Sequence, residues 1–198
     1  MDAFIFIIGL IIGIILKFVA DGISSKINKS KKKIGNIFIP ITCATSFEIL
    51  FLRLGFTAIL AKAIVMTIIL IVISFIDLWH RIIPDFLVVI TLISGLIFTF
   101  LVKASIIDAV LGMLAGGGIL FMLALIPNVM GGGDIKLIFA IGSFLGFNRV
   151  LWALLLAFIM SSIVSIILIL FRVKSIKDYI PFGPFLSLGS FFALVIFI

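Results

Sequence analysis

Apolar stretches of helix length follow one another along this chain with only short polar interruptions. The first runs from Ala3 to Leu16 and ends at Lys17; the others cover 39–54, 56–76, 86–102, 106–126, 135–147, 150–171 and 182–198. A helix needs roughly 17 to 25 apolar residues to cross about 30 Å of hydrocarbon, and in lipid it satisfies its backbone N–H and C=O groups internally. The pattern predicts an all-α polytopic membrane protein of about eight transmembrane helices, with residues 1–198 forming a single membrane-embedded domain. The run 39–54 is short for a span and is expected to be tilted or half-inserted.

The interruptions set the orientation. Residues 21–36 read as a short basic loop carrying Lys26, Lys29, Lys31, Lys32 and Lys33. The positive-inside rule places such a loop in the cytoplasm, which puts the N-terminus outside and the loops near Asp77, Gly132 and Lys174 on the cytoplasmic side. Residues 3–20 have no basic n-region and no small-residue cleavage site before Lys17, so they read as a retained first helix and not as a secretory signal. Gly112, Gly116, Gly117 and Gly118 would let another helix approach closely, which predicts a packed interior helix over 106–126. Pro84, just ahead of the run from Phe86, suits a helix's first turn.

Composition agrees with lipid as the main solvent. Hydrophobic residues make up 65% of the chain and charged residues 12%, more apolar surface than one soluble domain buries. The net charge of +7 does not indicate nucleic acid, because the basic residues lie at the ends of apolar segments, where anionic lipid headgroups are the natural partner. Cys43 is the only cysteine and His80 the only histidine. That excludes an internal disulfide and a thiolate zinc cage, and no metal site is expected. Cys43 reads as a small hydrophobe.

The eight acidic residues can be taken singly. Asp2, Asp21 and Asp178 read as solvated charges, and Asp108, just after Ser105, as a partner for a helix N-terminus. Asp77 and Asp134 differ, since each adjoins the cytoplasmic end of a long apolar run, where charge is costly without a partner or a purpose. Two carboxyls about 3 Å apart cannot both ionise easily. The ionised one can then activate water while the protonated one donates to a scissile carbonyl oxygen. Two unrelated interfacial aspartates are the plain alternative. An ion-coupled transporter is another, but it predicts an inverted internal repeat that the sequence does not display. Gly131, Gly132 and Gly133 precede Asp134, giving a backbone free to take positive φ and to approach an extended chain. A flexible loop or a packing surface would use glycines equally well. No Gly-Lys-Ser/Thr follows, which argues against a nucleotide loop.

At these residues the chain resembles a known family. Gly131-Gly132-Gly133-Asp134-Ile135-Lys136-Leu137 is similar to the Gly-x-Gly-Asp-x-Lys-Leu signature of type IV prepilin leader peptidases, which are membrane aspartyl proteases. The stretch from Asp77 to Pro84-Asp85 resembles that family's first motif, and Ile180-Pro181-Phe182-Gly183-Pro184-Phe185 its C-terminal Ile-Pro-Phe-Gly-Pro-Phe stretch. The resemblance implies that Asp77 and Asp134 are catalytic. It implies removal of short basic leaders from type IV pilin-like or pseudopilin precursors, by cleavage after glycine at the cytoplasmic face of the cell membrane. Pro84, Asp85, Lys136, Pro181, Gly183 and Pro184 are then site-supporting, with Asp85 read as an N-terminal cap and Lys136 as a residue that tunes Asp134 or snorkels to the headgroups. A preflagellin or presenilin-like protease shares the Gly-x-Gly-Asp core, but the Ile-Pro-Phe-Gly-Pro-Phe stretch argues against it.

One family feature is missing. Many members carry a cysteine-rich zinc loop after the first helix, associated with N-methylation by S-adenosylmethionine; the loop here is short, lysine-rich and free of cysteine. Peptide hydrolysis is expected to need no cofactor. Glu48 resembles the glutamate of the family's Val-Glu-Leu-Leu segment, which would tie it to methylation, although a glutamate in a membrane helix can equally serve as a hydrogen-bonding group between helices.

Overall fold

The computed structural model describes residues 2–27, 37–127, 130–175, 178 and 180–197. Among them the chain forms α1 (Asp2–Ile27), α2 (Phe38–Leu54), α3 (Ala58–His80), α4 (Asp85–Leu101), α5 (Ile106–Ala124), α6 (Gly132–Leu145), α7 (Phe147–Leu170) and α8 (Gly183–Ile196). These follow the apolar runs of the sequence in order, and the protein is an all-α polytopic membrane protein. Within the described residues, α1, α3, α5 and α7 are each long and apolar enough to cross a membrane. At 14 residues each, α6 and α8 reach only about 21 Å.

Two helices outrun their apolar stretches. α1 continues to Ile27, so residues 21–27 of the expected basic loop are helical. The reason is a buried face that persists beyond Lys17: Ala20 and Ser24, one turn apart, are both buried. The remainder of that loop, with Lys29, Lys31, Lys32 and Lys33, lies outside the described residues. α3 likewise runs one turn past Ile76, which puts Asp77 on the helix.

The core is built around α6, whose Leu137, Ile138, Ala140, Ile141 and Phe144 are all buried. Helices in lipid gain little from hydrophobic burial against each other and rely on close packing, which small residues permit. α5 and α6 meet backbone to backbone: a Cβ on Gly142 would lie 2.5 Å from Gly112. Gly116 faces Ile138 and Val150, and Gly117 faces Phe139, while Gly118 looks into open space. The glycine face of α5 therefore packs as anticipated. The helix is nevertheless peripheral and not interior, because Ile107, Leu111, Leu114 and Met122 on its other side are exposed.

Polar bonds fasten one end of the bundle. Lys62 Nζ donates to Thr99 Oγ1 at 3.3 Å, and Thr99 donates to the carbonyl of Ser143 at 2.9 Å, joining α3, α4 and α6. Ser105 caps α5 by accepting from the Asp108 N–H. Asp108 sits in that first turn, as its sequence position implied, and its Oδ1 also accepts from the Phe147 N–H at 3.0 Å, capping α7 across the helix pair. The junction turns at Gly146, whose φ of +77° suits a residue without a side chain.

Candidate active site

At the other end of the bundle, the C-terminus of α3 meets the N-termini of α4, α6 and α8. Ser24 of α1 also reaches this end, with its Oγ 2.6 Å from His80 Nε2. α3 stops here because Arg81 turns into the left-handed region, at φ +57°, and its N–H returns to the Asp77 carbonyl at 2.7 Å.

Asp77 lies in the last turn of α3 and is only 2% exposed. Its Oδ2 accepts from the backbone N–H of Gly183 at 3.0 Å. Gly183 opens α8, with Pro184 in the first turn, where ring closure removes a donor that no intrahelical acceptor would use. The remaining free N–H groups of a helix start favour a negative charge. A Cβ on Gly183 would stand 2.6 Å from that same Oδ2, so the approach requires glycine.

Asp134 lies in the first turn of α6, 3% exposed, with its N–H directed to the Gly131 carbonyl at 3.1 Å. The glycine run does not use positive φ, contrary to expectation: Gly131, the helix N-cap, is extended, and neither Gly132 nor Gly133 has a left-handed φ. Lack of bulk matters at Gly133. A Cβ on Gly133 would come 3.2 Å from Ile83, and one on Gly132 would meet nothing within 4 Å.

Both carboxyls line one cavity of about 260 Å³ together with the three glycines. Ile82 and Ile83 form an apolar wall, and Arg81 and Asp85 complete the lining. The two aspartates reach this cavity from different helices, α3 and α6. A liquid water occupies about 30 Å³, so the space admits water beside a narrow polar chain. Two carboxyls sharing such a space can act as base and acid on one polarised bond. Among the described residues no three His, Cys, Asp or Glu side chains group as metal ligands.

The other anticipated residues fall at varied distances from this cavity. Pro84, not Asp85, occupies the N-cap of α4 and makes no side-chain cap bond. Asp85 is one residue inside the helix and instead pairs with Lys136 at 2.9 Å, both side chains being exposed. Lys136, read from the sequence as tuning Asp134 or snorkelling to the headgroups, meets Asp85 through this pair. Pro181 is half-buried ahead of α8, while Pro184 lines a separate groove between α2, α3 and α8. Glu48, half-buried on α2, and His80 are not part of the carboxyl cavity's lining.

Sequence reasoning missed two contributions. The Gly183 N–H on Asp77 joins positions 106 apart, and only the motif around Gly183 hinted at it. Ile83, whose side chain backs Gly133, sits inside the stretch between Asp77 and Asp85 and carries no chemistry of its own.

Comparison with known proteins places these features in context. A model described as the type IV leader peptidase family matches residues 64–170, the interval that holds both aspartates. The prepilin leader peptidase/N-methyltransferase of Aeromonas hydrophila is 36% identical over 140 residues, covering 67% of this chain and 48% of that protein. Proteins of the same name from Legionella pneumophila, at 38% identity, and Pseudomonas aeruginosa, at 31%, each cover 71% of this chain and 51% of their own length. The chain thus spans about half the length of the curated relatives it matches. No solved structure matches it.

Proposed function

The chain belongs to the type IV leader peptidase family, and from that premise we propose that it is an aspartyl endopeptidase that removes the short basic leader of type IV pilin-like precursors. One observation carries this reading: Asp77 and Asp134, delivered by different helices, are buried at the wall of one cavity bounded by three glycines. The ionised carboxyl of the pair takes a proton from a water, which attacks the peptide carbonyl carbon. The protonated carboxyl donates to the carbonyl oxygen, and the resulting tetrahedral intermediate collapses with proton transfer to the leaving amine. The Gly183 N–H holds Asp77 in place, and cleavage falls after a glycine of the leader.

Residues 1–198 act in this proposal as one membrane-embedded peptidase domain, multi-pass in the cell membrane. The site faces the cytoplasm, because the α1 and α2 ends that flank the lysine-rich stretch lie at the same end of the bundle as Asp77 and Asp134. Anionic headgroups are the partner of those lysines. No cofactor is needed for hydrolysis. N-methylation, the second activity in the relatives' names, is not assigned to this stretch, which lacks the cysteine pairs of a zinc loop.

The test expresses wild type, Asp77→Asn and Asp134→Asn with a tagged prepilin and follows leader removal by gel shift. Cleavage by wild type and loss of cleavage in each variant is the expected result. Undiminished cleavage in both variants would overturn the aspartyl mechanism. Mass spectrometry of the new N-terminus, with S-adenosylmethionine supplied, should show a free amine; a methylated product would restore the second activity and direct attention to Glu48.

A further inference from the structure

Among the described residues, three other than glycine take a left-handed backbone: Arg81, Lys103 and Arg172, at φ +57°, +55° and +54°. Each comes within two residues of a helix end, those of α3, α4 and α7. Glycine is usual at such positions because it has no Cβ to clash. A basic side chain there interacts with the negative end of the helix, and that accounts for Lys103, at the far end of the bundle from the two aspartates.

Arg81 differs in where it lies, because it lines the carboxyl cavity. Three carboxyls line that cavity too, and Arg81 pairs with none of them. Asp77 accepts from the Gly183 N–H, and Asp85 pairs with Lys136. Among the described residues the exposed Arg81 side chain makes no hydrogen bond or ion pair. The five N–H donors of its guanidinium are unspent.

A polypeptide drawn into a cavity of about 260 Å³ gives up water at its backbone carbonyls, and each one needs a donor in exchange. Few side chains in the lining can supply one. Ile82 and Ile83 have none to give, ionised carboxyls only accept, and a protonated carboxyl is occupied by the scissile carbonyl. Arg81 is the side-chain donor that is left. The other source is the start of α6, whose first N–H groups have no intrahelical partner. A chain passing between Asp77 and Asp134 therefore meets a donor from each element that brings an aspartate, α3 and α6. Successive residues of an extended chain alternate in direction, so both donors can be used at once.

Resting on the peptidase reading above, we propose that Arg81 is a substrate-binding residue, whose guanidinium donates to a backbone carbonyl oxygen next to the scissile bond. The contact is with main chain, so it keeps the junction in register between the aspartates whatever side chains flank it. The left-handed turn that stops α3 sets the stem of this side chain at the cavity, four residues after Asp77.

Arg81→Gly removes the guanidinium without endangering the fold, because glycine suits φ +57° better than arginine does. Lys103→Gly is the matched control. Each full-length variant is solubilised in detergent, and its Tm and its kinetics on a tagged prepilin are measured. Arg81→Gly is expected to raise KM about tenfold or more with kcat little changed, as for loss of a charged donor that binds ground state and transition state alike. Its Tm should not fall, and Lys103→Gly should keep both kinetic constants of wild type. Arg81→Gln, which retains an N–H donor without the charge, should recover part of the loss. Recovery by Arg81→Lys alone, with the Gln variant as poor as the Gly variant, would mean that the residue reads a negative charge and would overturn the carbonyl assignment. An unchanged KM in Arg81→Gly would overturn it too. If wild type leaves the prepilin uncut, the peptidase reading itself falls, and this proposal with it.

Discussion

The backbone N–H of Gly183 and the Oδ2 of Asp77 lie 3.0 Å apart, and a single added carbon on Gly183 would stand 2.6 Å from that oxygen. The bond leaves no slack, since the donor is a helix start that cannot move without moving α8. Gly183→Ala is therefore expected to displace the Asp77 carboxyl or push α8 away. Loss of a hydrogen bond to a charged group amounts to about 1.5–3 kcal/mol, which corresponds to roughly ten- to a hundredfold in rate. Prepilin cleavage should fall by that factor while the variant still inserts and purifies. Unchanged kcat would mean that the contact does not matter to the chemistry.

The shared cavity sets the pH response. A carboxyl pair works only when it holds one proton, so log kcat against pH should be bell-shaped, with two apparent pKa values that belong to the pair. At the acid limb both carboxyls are protonated and no base remains. At the alkaline limb both are ionised and no donor remains. A flat profile across both limbs in prepilin hydrolysis would exclude this pair as the acid and base.

Packing of α5 on α6 should respond sharply to bulk. Gly142→Val forces a side chain into the Gly112 backbone and is expected to lower stability by about 1–3 kcal/mol or more, read as a drop in Tm in detergent. Gly22, on the exposed face of α1 with nothing within 4 Å of its Cβ position, should behave oppositely. There Gly22→Ala gains about 0.5–1 kcal/mol from helix propensity.

The Asp85–Lys136 pair is exposed on both sides, and such pairs contribute at most about 1 kcal/mol. A double-mutant cycle of Asp85→Asn and Lys136→Met should therefore show weak coupling in thermal stability, shrinking as salt rises. Strong coupling that persists in salt would reveal a buried network.

Much of the helix order was legible in the sequence because apolar length is nearly sufficient to specify a helix in lipid. Ends were less so. Asp77-Leu78-Trp79-His80 looks like a polar interruption, yet it continues α3, since a helix can keep winding at the interface while its polar side chains find partners such as Ser24. Asp85 had the composition of a cap, and the pair with Lys136, 51 positions away, was invisible to local reasoning. The glycines before Asp134 signalled unusual backbone, whereas none takes a left-handed φ and only Gly133 is shown leaving space beside Ile83. Asp77 and Asp134 could be singled out by charge placement and motif, but their common cavity is a property of four helix ends meeting, which no spacing rule encodes.

The contact between Gly183 and Asp77 also has a consequence in time. Asp77 is synthesised well before α8, and until α8 docks its carboxyl lacks the N–H that fixes it. A nascent chain that has inserted α3 and α6 already carries both aspartates, but its dyad is not yet held. Because elements emerge from the ribosome in order, late arrival of α8 leaves Asp77 without this donor until the bundle has assembled.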